Sequence, residues 1–247
     1  MRTKTNTGRK TRASAARTRG SRAGSVYRAL RRAIIEQAVQ PGQKLPEDTI
    51  GRQFGVSRTL VREAIGRLAV EGLVEVRHNK GACVAHPSLE DARAVFEVRR
   101  GLERMVVEQL TGRLTAAQAG ELTAHIDAEE EASSVDGPRS IRLAGEFHIK
   151  LAEMTGNGLL LRYVQEVSSR FSLILALYGR PHSSECAVCE HRRLVQCLRS
   201  GDAKAAIRLM DQHLKAVASR ALLTPARLQD IKDAIAPYAS QERHDRA

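Results

Sequence analysis

Several side chains stand where the apolar pattern around them calls for something else. In RLAGEFHIKLAEMTGNG, residues 142–158, a helical period puts Ala144, Phe147, Leu151 and Thr155 on one stripe with Ile141, and His148 falls inside it. His191 shares a face with Ala187, Val195 and Leu198, and His213 sits at the edge of a stripe made by Ile207, Met210, Leu214 and Val217. Arg99 lies in the centre of the stripe of Val95, Leu102, Val106 and Leu110. A buried guanidinium must be paired. Glu103, at i+4, is one partner; a ligand carboxylate is the other, because the Arg fork matches its geometry. Arg170, at the edge of the stripe of Tyr163, Val167, Ile174 and Leu177, is a weaker second anion contact. Cys186 and Cys189 form one CxxC without the second pair of a structural zinc site, and read most simply as helix neighbours.

A second group of residues points to nucleic acid. LPEDTIGRQFGVSRTLVREAIGRLAVEGL reads as helix, tight turn at Gly55, and second helix. Ser57 is placed to cap that helix, and Val61, Ala64, Ile65 and Leu68 form its buried face. Arg58 and Arg62, at i and i+4, share the opposite face near the N-terminus, the end of a recognition helix that meets base edges. Each can pair bidentately with guanine O6 and N7. Thr59 and the helix amides suit phosphate oxygens. Two short β-like runs, 73–77 and 82–85, follow, joined through His78, Asn79, Lys80 and Gly81, a hairpin with a tip able to approach DNA.

The elements that position these residues are mainly helical. A helix starts at Ser25 and is broken by PGQKLP; two short helices near 47–53 and 58–70 precede the hairpin. From Ser88 the pattern predicts helices near 88–111, 115–132, 138–155, 158–178, 184–199 and 203–221, and a weaker one near 225–238, with no convincing strand. The expected fold is a winged helix-turn-helix followed by a bundle of six or seven helices. The expected division is a disordered basic tail over 1–24, a DNA-binding unit over 25–86 and a helical unit over 87–240.

Charge separates the same segments. The 247 residues carry a net +12, of which residues 1–24 hold +8, residues 25–86 hold +4, and the remainder is neutral. A basic N-terminal block expects phosphate, and the neutral remainder a different partner. There is no apolar run long enough to span a membrane and no apolar segment behind the basic start, so a cytoplasmic protein is expected, with its four cysteines reduced.

PGQKL, FGVSRTLVREAIGRLAVEGLV and the closing KGACV resemble the winged helix-turn-helix of GntR-family bacterial transcription regulators. VRRGLE, EFHIKLAEMTGN, EHRRLVQCLRSGD and MDQHL resemble the FCD effector domain of the FadR subfamily. The resemblance implies a homodimeric regulator, most simply a repressor on a pseudo-palindromic operator, modulated by a small molecule in the helical bundle. It also implies a metal site. Many members hold a divalent ion with one Asp and three His, the Asp four residues before the first His, and the matching histidines are His148, His191 and His213. Ala144 stands at the Asp position and cannot ligate; Glu146 points to another face. Three imidazoles still suit zinc or nickel, with a coordination position left open; without metal they would hydrogen-bond a ligand or each other. Arg99, with Glu103 and Arg170, then suits a small carboxylate metabolite. Two other classes are weighed against this reading. A metal-dependent enzyme lacks HExxH, a phosphate loop and a nucleophile with an evident base; GNGLLL only grazes GxGxxG. An architectural DNA binder driven by the basic tail would need neither Arg99 nor the core-facing histidines.

Overall fold

The computed structural model describes residues 22–178, 184–219 and 230–244. Helix α1 covers 22–35, and then come α2 (Glu47–Phe54), α3 (Arg58–Val70), β1 (Val74–Arg77) and β2 (Gly81–Val84). A run of helices follows: α4 (Leu89–Leu110), α5 (Ala116–Val135), α6 (Gly137–Met154), α7 (Gly158–Tyr178), α8 (Ser184–Ser200), α9 (Ala203–Ser219) and α10 (Ile231–His244). The fold is mainly helical with one antiparallel hairpin, as the periodicity predicts, and no other strand appears among the described residues.

Local chemistry explains the boundaries. Ser88 and Asp91 form a reciprocal capping box at the start of α4, Thr115 and Gln118 form another for α5, and Asp136 caps α6 with Pro138 just inside it. Helix α2 ends at Gly55, whose φ of 61° is the left-handed turn that lets α3 start three residues later, at Arg58. β1 and β2 pair from Val74↔Val84 to Arg77↔Gly81. The PGQKL segment does more than break α1: Leu45 N–H donates to Ala82 O, and Gly42 N–H to Val84 O, so it lies along the outer edge of β2.

Two apolar cores result. One is built by Leu30, Ile34, Leu45, Ile50, Val61, Leu68 and Val84 of the N-terminal elements. The second, with Val106, Leu122, Phe147, Leu151, Leu198 and Leu214, holds α4–α9 together. In the second, α5 packs on α6 and α8, α4 on α7 and α9, and α8 on α9. One helix departs from the expected division. α10 is described from Ile231, the start of the expected helix over 225–229 lying outside the described residues; it runs through Pro237 and packs on α2, and Ile231, Ala234 and Ile235 belong to the N-terminal core, as does Leu173 of α7.

Candidate metal centre and nucleic-acid interface

The buried Arg, Glu and His side chains of the described residues form one cluster. They are Arg99 and Glu103 on α4, Glu129 on α5, His148 on α6, His191 on α8 and His213 on α9. Each helix contributes through its apolar face, so the core that orders the helices also orders the polar groups. The three imidazoles converge, with one ring nitrogen from each lying within 4.8 Å of the others. Ring centroids are 5.4 Å apart for His148 and His191, 5.3 Å for His148 and His213, and 4.8 Å for His191 and His213. Phe147 stacks on His191 at 4.0 Å and closes one side.

Carboxylates stand behind the rings. His191 Nδ1 lies 2.9 Å from Glu129 Oε2, and His213 Nδ1 lies 2.6 Å from Glu190 Oε2. His148 Nδ1 is 2.9 Å from Glu103 Oε1, at bonding distance but without bonding alignment. Glu103 Oε1 also accepts from Arg99 Nε at 3.3 Å, and the Arg99 guanidinium lies 4.4 Å over the Phe171 ring. Burial pushes His148 down to about 3 and His191 well below the ordinary imidazole value, so both are neutral near pH 7. Burial alone would raise the Glu103 carboxyl; His148 and the Arg99 guanidinium outweigh it and hold the group below the usual carboxylate range.

Three converging, buried imidazoles fit a divalent ion of borderline softness. His191 Nε2 is buried without a hydrogen-bond partner, the state expected of a donor reserved for a ligand. Ala144 sits beside this cluster in sequence but brings no oxygen, and Glu146 is paired with Arg142. Glu129 and Glu190 escape a sequence reading because each meets its histidine only through helix packing. Their i,i+n spacing carries no sign of it.

Arg170 lies elsewhere. Its side chain is 44% exposed, bonded to Glu166 at 3.0 Å, and its guanidinium covers Gly72, the left-handed residue after α3. The buried face of α7 runs through Leu160, Val164, Phe171 and Ile174, whereas Tyr163, expected on it, is exposed. Cys189 is exposed and unbridged; the Cys186 side chain lies outside the described residues.

At the N-terminal unit, Leu60, Val61, Ala64, Ile65 and Leu68 bury one face of α3, leaving Arg58, Thr59 and Arg62 exposed on the other. Ser57 occupies the N-cap position, but its hydroxyl makes no capping bond. Arg58 Nη2 bonds Asp48 Oδ2 at 2.6 Å, and Arg62 Nε meets both Glu47 oxygens at 2.8 Å. So α2 supplies an acid to Arg58 and another to Arg62, pairings that the spacing within α3 does not show. His78, Asn79, Lys80 and Gly81 are exposed at the end of the hairpin, and Asn79 with φ 55° makes the turn.

Comparison with known proteins agrees with both halves. The gntR family of bacterial regulatory proteins matches residues 22–84, and the FCD domain matches residues 94–216. The HTH-type transcriptional repressor RspR of Escherichia coli is 26% identical over 196 residues, which span 78% of this chain and 85% of RspR. The HTH-type regulator YdhC of Bacillus subtilis is 25% identical over 183 residues, 73% of this chain and 82% of its own. A GntR regulator from Rhodococcus sp. RHA1 superimposes with a TM-score of 0.70 at 26% identity, covering 81% of this chain and 96% of that one. The winged hairpin beside an arginine-bearing helix, the bundle with its histidine cluster and these matches converge: the chain is a transcription regulator, not an enzyme, and belongs to the gntR family of bacterial regulatory proteins, with an FCD effector domain behind its DNA-binding unit.

Proposed function

We propose that this regulator is a repressor that binds a pseudo-palindromic operator as a homodimer and responds to a small acidic metabolite in the helical bundle. Arg58 and Arg62 read base edges in the major groove. Thr59, Ser57 and the α3 amides take phosphates, and the His78–Gly81 wing follows the backbone beside them. The acids Glu47 and Asp48 hold both arginines extended before DNA arrives, at the cost of ion pairs exposed enough to be exchanged. Exposed Val98 and Met105 on α4, and Leu159 and Tyr163 on α7, leave apolar surface on two packed helices, which supports a partner subunit there. The similarity to RspR, a transcriptional repressor, favours repression. A DNA-binding regulator without a described helix able to cross a membrane acts in the cytoplasm.

The response is assigned to the histidine cluster, and the observation that carries it is the convergence of three buried imidazole nitrogens within 4.8 Å. His148, His191 and His213 would hold a divalent ion, zinc or nickel before manganese, given nitrogen donors and no inner carboxylate. When bound, that ion supplies a Lewis-acidic position for an oxygen of the effector. Arg99, joined to the cluster through Glu103, provides the matching positive charge for an effector carboxylate.

DNase footprinting tests the first half. A short, two-fold footprint at a discrete site is expected, relaxed by an organic or sugar acid in the parent and less so in Arg99→Lys. Uniform protection of any DNA would instead favour an architectural protein coating the duplex through its basic segments.

A further inference from the structure

Among the described residues, every buried Arg, Lys, Asp or Glu belongs to the histidine cluster. Burying a charge costs several kcal/mol unless it is paired and bonded, so a chain that places three such groups, and no others, in one spot has concentrated that cost there. Two of them are glutamates. A third glutamate, Glu190, has a side chain 19% exposed and bonds the third ring. The three carboxylates come from three separate helices, α4, α5 and α8, and each faces the Nδ1 of a different imidazole. Coincidence on three elements is a poor account of a repeated pairing. The position four residues before His148, meanwhile, is Ala144, so no carboxylate enters from that turn of α6.

We infer that Glu103, Glu129 and Glu190 are positioning residues that accept the Nδ1–H of His148, His191 and His213, fix all three rings in one tautomer and leave Nε2 of each for a metal. This rests on the metal reading above and extends it to residues outside the donor set. A carboxylate on Nδ1 orients the ring and raises the basicity of Nε2. The same three groups answer the loss at Ala144 in charge. Three carboxylates, with the single Arg99 guanidinium beside Glu103, surround the three imidazoles. The carboxylate charge of the site thus stands one shell further out, behind the rings. His148 differs from the other two: its Nδ1 lies 2.9 Å from Glu103 Oε1 without bonding alignment, and the same oxygen accepts from Arg99.

Two readouts test this on the full-length protein with zinc as the probe. Long-range proton–nitrogen correlation spectra of metal-free protein assign the histidine tautomers directly. Three neutral Nδ1–H rings are expected; Nε2–H rings at His191 and His213 would overturn the assignment whatever zinc does. Zinc affinity, by competition with a chromophoric chelator, is expected to fall 10- to 100-fold in Glu129→Gln and in Glu190→Gln. Glu190 is the more exposed, so its variant folds even where Glu129→Gln is compromised. Affinities within twofold of the parent in both folded variants would contradict the role. A parent chain with Nδ1–H rings that binds no zinc would instead sink the metal reading and leave the ring-holding function standing.

Discussion

At the scale of single residues, the chemistry of this chain depends on pairs that long-range packing creates. Arg58 and Arg62 were legible from their i,i+4 spacing behind a helix start, but their acids, Asp48 and Glu47, sit on the preceding helix and were not. Replacing either arginine by Ala should cost about 1–3 kcal/mol at the operator and relax base preference. Titration of a labelled operator against scrambled DNA measures it, and equal losses on both would show that neither residue reads sequence. The buried rings of His148 and His191 set a pH dependence. Their folded pKa values lie below the unfolded value of about 6.5, so the unfolded chain binds more protons in the interval between. Their contribution to stability is complete above about pH 7 and is lost as pH falls toward 3. The depressed Glu103 adds a loss of the same sign below the usual carboxylate range. Urea midpoints of metal-free protein should therefore drop between pH 7 and 5 by more than those of His148→Gln; parallel curves would contradict the buried, neutral assignment.

At the scale of elements, the period of 3.6 residues located α4 to α9 within a few residues, because each buries one continuous face and is punctuated by Gly, Pro or a capping side chain. It also placed His148, His191 and Arg99 on those faces correctly. It failed where the partner rather than the pattern decides. Tyr163 has the right phase on α7 yet faces out. α10 has an apolar face, but nothing in its spacing says that this face meets α2 across the chain. There Ile235 is fully buried, the Arg32 guanidinium lies 4.9 Å over the Tyr238 ring, and Arg28 Nη2 bonds Glu242 at 2.9 Å. Separately, Arg31 with Ser169 of α7, and Glu36 with Arg142 of α6, bind the bundle to the winged unit. Ile235→Ala should accordingly destabilise by about 2–5 kcal/mol, read as a lower urea midpoint of the N-terminal core. A neutral substitution would mean that α10 is not part of that core.

At the scale of the whole molecule, charge and chemistry are divided along the chain. The excess of +12 lies entirely within residues 1–86, and two-thirds of it in residues 1–24. Phosphate neutralisation by that tail would appear in the salt dependence of binding, with a slope of roughly 0.9 per contact. Deleting residues 1–24 should flatten the plot of log affinity against log salt; an unchanged slope would mean the tail does not touch DNA. The neutral helical part carries instead the cluster of buried Arg, Glu and His side chains found among the described residues, and meets the DNA-binding unit at Leu173 of α7. A ligand that reorders α4, α6, α8 and α9 around the histidines therefore has a packed route to the winged unit, through Leu173 and through Arg170 over Gly72.

The measurement that bears most directly on this account is the metal content of tag-free protein, purified from metal-replete cells and compared with His191→Ala. Near one zinc or nickel ion per chain, lost in the variant, is the predicted result. No metal in the parent, or the same content in both, would contradict a three-histidine centre as the sensing element of this regulator.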